Sequence, residues 1–414
     1  MTKIEFIVYF KDLLNRLKDK SIDIVKFFEL LDMSKLELSK TDSIVIFQFN
    51  GIGDNILVSS FIRNVRLNNP DSTIVLICNV TSKDLYKNCP YINKLIPIEC
   101  KSKTIVGTIE DLFNTFVEQC WEYQFKLALS PQWGRPNFAG ALGCFLIKAQ
   151  RSIGYSINSW KAYYDDPPKF YKDALNYDFL LTDSLYVDNK VIHNIARKRY
   201  ILEYLNYKVD NMKLEAWLDD NDLSFAGDII NRYNKKRRRL VGLGVGGILG
   251  CKHYPPQLLV RALQQININN EYLFIIIGDK DDLYAANYIE TILKDNVINL
   301  VDKTTLRQAL AVVSKFNYYI GNDTSVAHMA AVFNIPSIIL FMESKDKWND
   351  IPGHLSSVQQ FSPYNDKAII IQPENALDIC QDAHIHGGCC YNVPHCITQI
   401  TPEEIIDAFN ALKR

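Results

Sequence analysis

Nowhere in this sequence do apolar residues run unbroken for the roughly 20 positions that a membrane-spanning helix needs. The first apolar stretch, Ile4 to Phe10, is short and interrupted by Glu5. It is followed by no small-residue cleavage site, so neither a signal peptide nor a membrane span is expected. Charge of one sign is also lacking: the formal net charge is -1 over 414 residues, which leaves no global field to attract nucleic acid. Ten cysteines are present, but no Cys-x-x-Cys pair occurs and only the tail clusters them. A secreted disulfide framework is therefore excluded, and a reducing, cytoplasmic setting is expected. No short-period repeat is found. With 48% hydrophobic and 22% charged residues, the chain is long enough for two or three domains with ample cores.

What is present begins with helical periodicity. Ile4, Ile7, Phe10, Leu14 and Leu17 recur at three or four residues, as do Ile24, Phe27, Phe28 and Leu31. Residues 1–41 read as an amphipathic helical extension, packed on the body or on a second copy of the chain. Its polar face is not strongly basic, which argues against membrane-surface binding. From Ser43 short apolar runs alternate with helical stretches: SIVIFQF, STIVLICNV, KLIPIE, FKLAL and RSIGYS. A second alternation follows the basic run Lys235–Arg239: LVGLGV, YLFIIIGD, VINLVD, YYIGND, SIILF and AIIIQ. Such alternation predicts parallel sheets covered by helices. The domains expected are 42–210 and 211–400, with a terminal helix at 401–414 opened by Thr401 and Pro402. The basic run itself reads as a solvated surface, or as a peripheral contact with anionic lipid.

Three turns carry residues suited to chemistry. In GIGDNILVSSFIR a helix follows the Gly-Asp turn, and Asp54 is either a helix cap or something more. In GLGVGGILGCKHYPP, Gly246 and Gly247 let backbone amides approach an anion, and Lys252 adds a cation. A dinucleotide fingerprint needs its helix at once, whereas Pro255 and Pro256 delay it here. In YYIGNDTSVAHMAAVFNIP a strand ends at Asp323 and a helix starts with Thr324 and Ser325. Val326, Met329, Ala330 and Phe333 should be buried, while Thr324 and His328 should lie on a wet or ligand-facing side. Hydroxyls, free amides and an imidazole at a helix start suit a diphosphate.

These stretches, with HNIARKRYILEYLNY and CITQITPEEI, together resemble glycosyltransferase family 9, the ADP-heptose:lipopolysaccharide heptosyltransferases. The resemblance runs from about Ser43 to Ala408. It implies the α/β GT-B architecture, two Rossmann-like domains facing a cleft, the first for the acceptor and the second for the nucleotide sugar. It implies an inverting transfer that needs no metal, with the nucleotide-sugar donor as co-substrate. Lys252 matches the cation meeting the donor diphosphate. Asp323, Thr324, Ser325 and His328 match the donor-phosphate motif, and Asp282 an acidic position near the donor ribose. Asp54 matches the residue taken as general base, and it can serve as cap and base together. The acceptor implied is lipopolysaccharide core, another glycan, or a protein as in the autotransporter-modifying subgroup.

The chain also departs from that pattern. Gln48, Phe49 and Asn50 stand where a basic residue is usual, and Ser325 stands where glycine is common. In the tail, Cys380, Cys389, Cys390 and Cys396, with His384, His386 and His395, are competent ligands for a structural zinc or iron, but their spacing is not that of a standard site. Buried thiols and a polar loop are the expected alternative. Two rival functions stay open on the residues alone. One is an NAD-linked oxidoreductase resting on the glycine-rich strand ends. The other is a nucleotide-sugar-binding protein without turnover, which Gln48 keeps in view.

Overall fold

Ile44, Val45, Ile46 and Phe47 are all buried, as in a parallel strand covered on both faces. They belong to β1 (Ser43–Gln48), which pairs in parallel with β2 (Thr73–Asn79) and β4 (Phe125–Ser130). With β3 (Lys94–Ile98), β5 (Arg151–Tyr155) and β6 (Asp183–Leu185) they make a parallel sheet of order β3-β2-β1-β4-β5-β6. The second sheet is built from β7 (Arg239–Gly244), β8 (Tyr272–Ile276), β9 (Val297–Asn299), β10 (Tyr318–Asn322), β11 (Ser337–Leu340) and β12 (Ala368–Ile371). Its order is β12-β11-β10-β7-β8-β9, again parallel throughout. Both sheets therefore have the doubly wound order, which reverses between β1 and β4 and between β7 and β10. Ligands of such sheets bind beyond the carboxyl ends of the strands at that reversal.

This computed structural model describes residues 1–33, 42–99, 104–133, 137–161, 176–187, 191, 193–247, 249–345, 356–377 and 393–413. The chain divides into two units. The first comprises Met1–Gly51, Phe61–Val191 and Arg197–Asn211. The second comprises Ile52–Ser60, Ile192–Ala196 and Met212–Arg414. Every apolar run named from the sequence is a strand. The periodicity gave no sign of β6, a three-residue edge strand whose Asp183 and Ser184 carry no strand signal.

The N-terminal helices, Lys3–Lys18 and Ile24–Leu30, start at the capping residues Thr2 and Asp23. Thr2 and Glu5 form a reciprocal capping box. Phe6, Phe10, Leu13, Leu14, Phe27 and Phe28 join the same core as Val45, Val75 and Phe113. The amphipathic pair thus packs on the body of the first unit. In the second unit the core gathers Val241, Leu243, Phe274, Ile320 and Ile338. Ile405 and Phe409 of the Pro402–Leu412 helix belong to that core too, so residues 401–413 are integral to it. A buried ion pair ties two covering helices: Arg307 on Leu306–Val313 bonds Asp222 on Asp220–Tyr233, with Nε to Oδ1 at 3.2 Å.

Candidate functional site

At the reversal point of the second sheet, β7 ends at Gly244 and β10 at Asn322. Asn322 is buried, and its amide donates to the carbonyls of Val245 (2.9 Å) and Gly246 (3.0 Å). Its Oδ1 accepts the N–H of Tyr254 at 3.3 Å. One side chain thereby fixes the glycine-rich turn and the Lys252–Tyr254 segment to the end of β10. His253 Nε2 lies 2.7 Å from the carbonyl of Gly247 and donates to it.

Lys252 then reaches Asp323, with Nζ 2.5 Å from Oδ2. The Lys252 side chain is 24% exposed, and that of Asp323 8%. An ammonium has three donors. Asp323 takes one, and the others bond no group among the described residues. Asp323 therefore orients the cation without exhausting it.

Thr324 is the N-cap of the Ser325–Val332 helix, in extended conformation, but its side chain makes no cap hydrogen bond. Its Oγ1 is buried, as is the neighbouring hydroxyl of Tyr319. Burial pushes the Tyr319 hydroxyl well above its ordinary range, so it stays protonated. The first amides of the helix and the half-exposed Ser325 add further donors at its positive end.

Asp282 sits beside this turn. A Cβ on Gly246 would fall 1.6 Å from Asp282 Oδ1, so only glycine permits the carboxyl to lie there. Burial pushes its pKa up to about 6, against the Asp279 N–H that donates to Oδ2 at 3.1 Å. The same carboxyl completes the capping box of the turn at Lys280–Asp282.

The first-unit expectation for Asp54 changes in detail. The helix starts at Ile52, so Asp54 lies inside its first turn and is not the N-cap residue. Asp54 Oδ1 accepts from Asn194 Nδ2 at 2.8 Å. Its helix (Ile52–Leu57) packs against the Ser325–Val332 helix, both within the second unit. A Cβ on Gly53 would lie 2.7 Å from His328 Cδ2, so the missing side chain admits the imidazole. His328 is consequently buried, at 6% exposure, and not on a wet face as the helical spacing suggests. Val326, Met329 and Ala330 are buried as expected, while Phe333, beyond the helix end, is only half-buried.

Two residues escaped the sequence reading. Asn194 opens the Asn194–Tyr204 helix and reaches Asp54 across 140 positions. Glu343, just past β11, is buried and accepts from Ser357 N–H at 2.5 Å and Ser357 Oγ at 2.6 Å. Burial holds its carboxyl above the usual range; Ser357 and Lys252 act against that, and Asp323 with it. Asn194 stands in HNIARKRYILEYLNY, a stretch that carries the family resemblance but in which no role was read for it, and Glu343 stands in no such stretch. Gln48, where a base is usual, is buried at the end of β1 in the first unit, and its Oε1 bonds nothing among the described residues.

Cys380, Cys389, Cys390, His384 and His386 lie outside the described residues. Cys396 is buried, accepts the Leu377 N–H at 3.5 Å, and lies 3.5 Å from His395 Nδ1. Among the described residues no group of three or more His, Cys, Asp or Glu is placed to hold a metal. No helix among them is long and apolar enough to cross a membrane.

The sequence model of glycosyltransferase family 9 (heptosyltransferase) matches residues 171–384, more than half of the chain. The chain belongs to this family. Family membership makes it a glycosyltransferase by class and disfavours the oxidoreductase reading. Lipooligosaccharide heptosyltransferase 2 of Campylobacter jejuni is 25% identical over 224 residues, covering 51% of this family-9 chain and 64% of that relative. The match thus spans less than two thirds of the relative's length. The family 9 glycosyl transferase of Veillonella parvula is a solved structure of similar fold. Its TM-score is 0.68 at 17% identity, over 91% of this chain and 98% of that one. The ADP-heptose lipopolysaccharide heptosyltransferase II of Escherichia coli gives a TM-score of 0.60 at 19% identity, over 89% and 98%. With the two six-stranded parallel sheets, these likenesses establish the GT-B fold.

Proposed function

We propose that the protein is an inverting, metal-independent heptosyltransferase that takes a heptose from ADP-heptose and gives it to a hydroxyl of lipopolysaccharide core, another glycan or a protein. One observation carries this reading most. The helix bearing Asp54 packs on the helix whose start holds Thr324, Ser325 and the Lys252–Asp323 pair. An acid group and a cationic, donor-rich anion seat thus belong to one unit. The names of the Campylobacter and Escherichia coli proteins favour heptose as the sugar, and the latter favours ADP as the carrier.

In the proposed reaction the acceptor hydroxyl loses its proton to Asp54 while its oxygen bonds to the anomeric carbon. The bond from that carbon to the diphosphate oxygen breaks on the opposite side, which inverts the centre. The charge growing on the leaving diphosphate is met by Lys252, by the hydroxyls of Thr324 and Ser325, and by the helix amides. Lys252 would supply the positive charge that a metal brings elsewhere, and Asp282 would accept from the ribose hydroxyls. Proton removal by a positioned base typically contributes about 10²–10⁴-fold.

Binding and turnover test the two halves separately. Lys252→Ala should weaken ADP-heptose binding about tenfold or more, as for loss of a charge-assisted hydrogen bond. Asp54→Asn should leave that binding intact and lower transfer by about 10²–10⁴-fold. A thermal-shift panel of ADP-, UDP-, GDP- and NAD-type ligands reads the nucleotide, because a ligand of the native state raises Tm. Stabilisation by NAD alone, or full transfer by Asp54→Asn, would defeat the assignment. Binding with no turnover in the wild type would instead favour a non-catalytic sugar-nucleotide receptor.

A further inference from the structure

Asp54 holds only one of its two oxygens in a hydrogen bond: Asn194 Nδ2 donates to Oδ1 at 2.8 Å, and Oδ2 bonds no group among the described residues. Asn194 is itself buried, at 4% exposure, and is the first residue of its helix. The residue before it is also held in place. His193 Nε2 lies 2.9 Å from the Ser362 carbonyl, an acceptor only, so Nε2 carries the proton. His193 Nδ1 is then left to accept the N–H of Ile195 at 3.2 Å, capping the helix start. The ring also lies against Tyr364, with centroids 5.8 Å apart. An imidazole anchored at both nitrogens thus brackets the residue that grips Asp54. All of these groups belong to the second unit.

We propose that Asn194 is a positioning residue for Asp54: its amide clamps Oδ1 and so presents Oδ2 as the oxygen that takes the acceptor's proton. This rests on the reading of Asp54 as general base. A carboxylate clamped at one oxygen loses rotation about its terminal bond, and the free oxygen keeps one direction. Orientation of this kind acts on the reacting geometry and not on the grip of the donor. Misplacement of a reacting group by about 1 Å can cost around 100-fold in rate.

The experiment follows ADP release from ADP-heptose with and without heptose-free lipopolysaccharide as probe acceptor. It also follows donor affinity and Tm for the full-length wild type, Asn194→Ala, Asn194→Leu, Asp54→Asn and Asp54→Asn/Asn194→Ala. Asn194→Leu keeps the approximate shape and removes the donor, so it serves if the alanine variant folds poorly. The expected result is kcat down about 10- to 100-fold in both Asn194 variants, with donor affinity within about twofold. The double variant should be no slower than Asp54→Asn, because a clamp has no purpose once the base is gone. Wild-type kcat in either folded Asn194 variant, or additive losses in the double variant, overturns the positioning role while Asp54→Asn stays inactive. Full activity in Asp54→Asn sinks the general-base reading and the clamp with it. Wild-type protein that releases no ADP in either arm overturns both as well.

Discussion

The Asp282 carboxyl is almost wholly removed from water, with the Cα of Gly246 against it and the Asp279 N–H on Oδ2. Burial raises its folded-state pKa to about 6, above the roughly 3.9 of an unfolded chain. The folded state therefore holds this proton more tightly than the unfolded state does. Stability contributed by the neutral acid is fully present below about pH 4 and is lost as pH rises through about 6. Asp282→Asn should melt at the same temperature as the wild type near pH 4 and at a higher temperature at pH 7.5, by calorimetry across that range. If Asp282 receives the ribose, the same variant should bind ADP-heptose more weakly, a stabilised fold with a poorer site. The acid was visible in the sequence as part of GDKDD. Its burial was not, because a desolvated carboxylate and a surface one are the same letter.

Among the elements, the contact between the Ile52–Leu57 and Ser325–Val332 helices joins the proposed base to the proposed donor seat. Gly53 lies against the His328 ring in this contact. Replacing a helical glycine by alanine ordinarily gains up to about 1 kcal/mol. Here the new Cβ would lie 2.7 Å from the His328 ring, so Gly53→Ala should instead lower Tm and kcat together. His328→Ala vacates that space, and the Gly53→Ala/His328→Ala protein should recover Tm by at least half of the loss. Thermal melts of the three variants decide it; additive losses would show that the two helices do not meet there. Both glycine and histidine were legible as motif letters. Helical spacing placed His328 on an uncovered face because periodicity knows only the helix it belongs to, not the second helix laid on top.

For the molecule as a whole, the N-terminal helices are part of the first core and not an appendage. Phe10 is fully buried there, and its aromatic neighbours are Phe6, Phe27 and Phe113. Phe10→Ala should cost about 3–5 kcal/mol, measured by denaturant unfolding, with no change in association state by light scattering. A change in association state with Tm preserved would mean that the helices serve chiefly to join copies. Both sheets have the same doubly wound strand order, and the candidate residues gather at the reversal point of the second. That division was readable, since parallel strands buried on both faces must be nearly continuous apolar runs. The chain's assignment of Ile52–Ser60 and Ile192–Ala196 to the second unit was not, since those segments sit inside the first alternation in sequence.

The amino-acid order alone marked eleven of the twelve described strands, that there are two sheets, and that Lys252, Asp323, Thr324 and Ser325 stand at turns that follow strands. Those properties are local: apolar period, glycine and proline placement and capping residues act over a few positions. Tertiary structure alone decided that Asn194 grips Asp54, that Gly246 makes room for Asp282, and that Gly53 covers His328. Each of these joins residues tens to hundreds of positions apart. Chain topology, steric fit and the removal of water select such pairs, and none of the three leaves a trace in a single stretch of sequence.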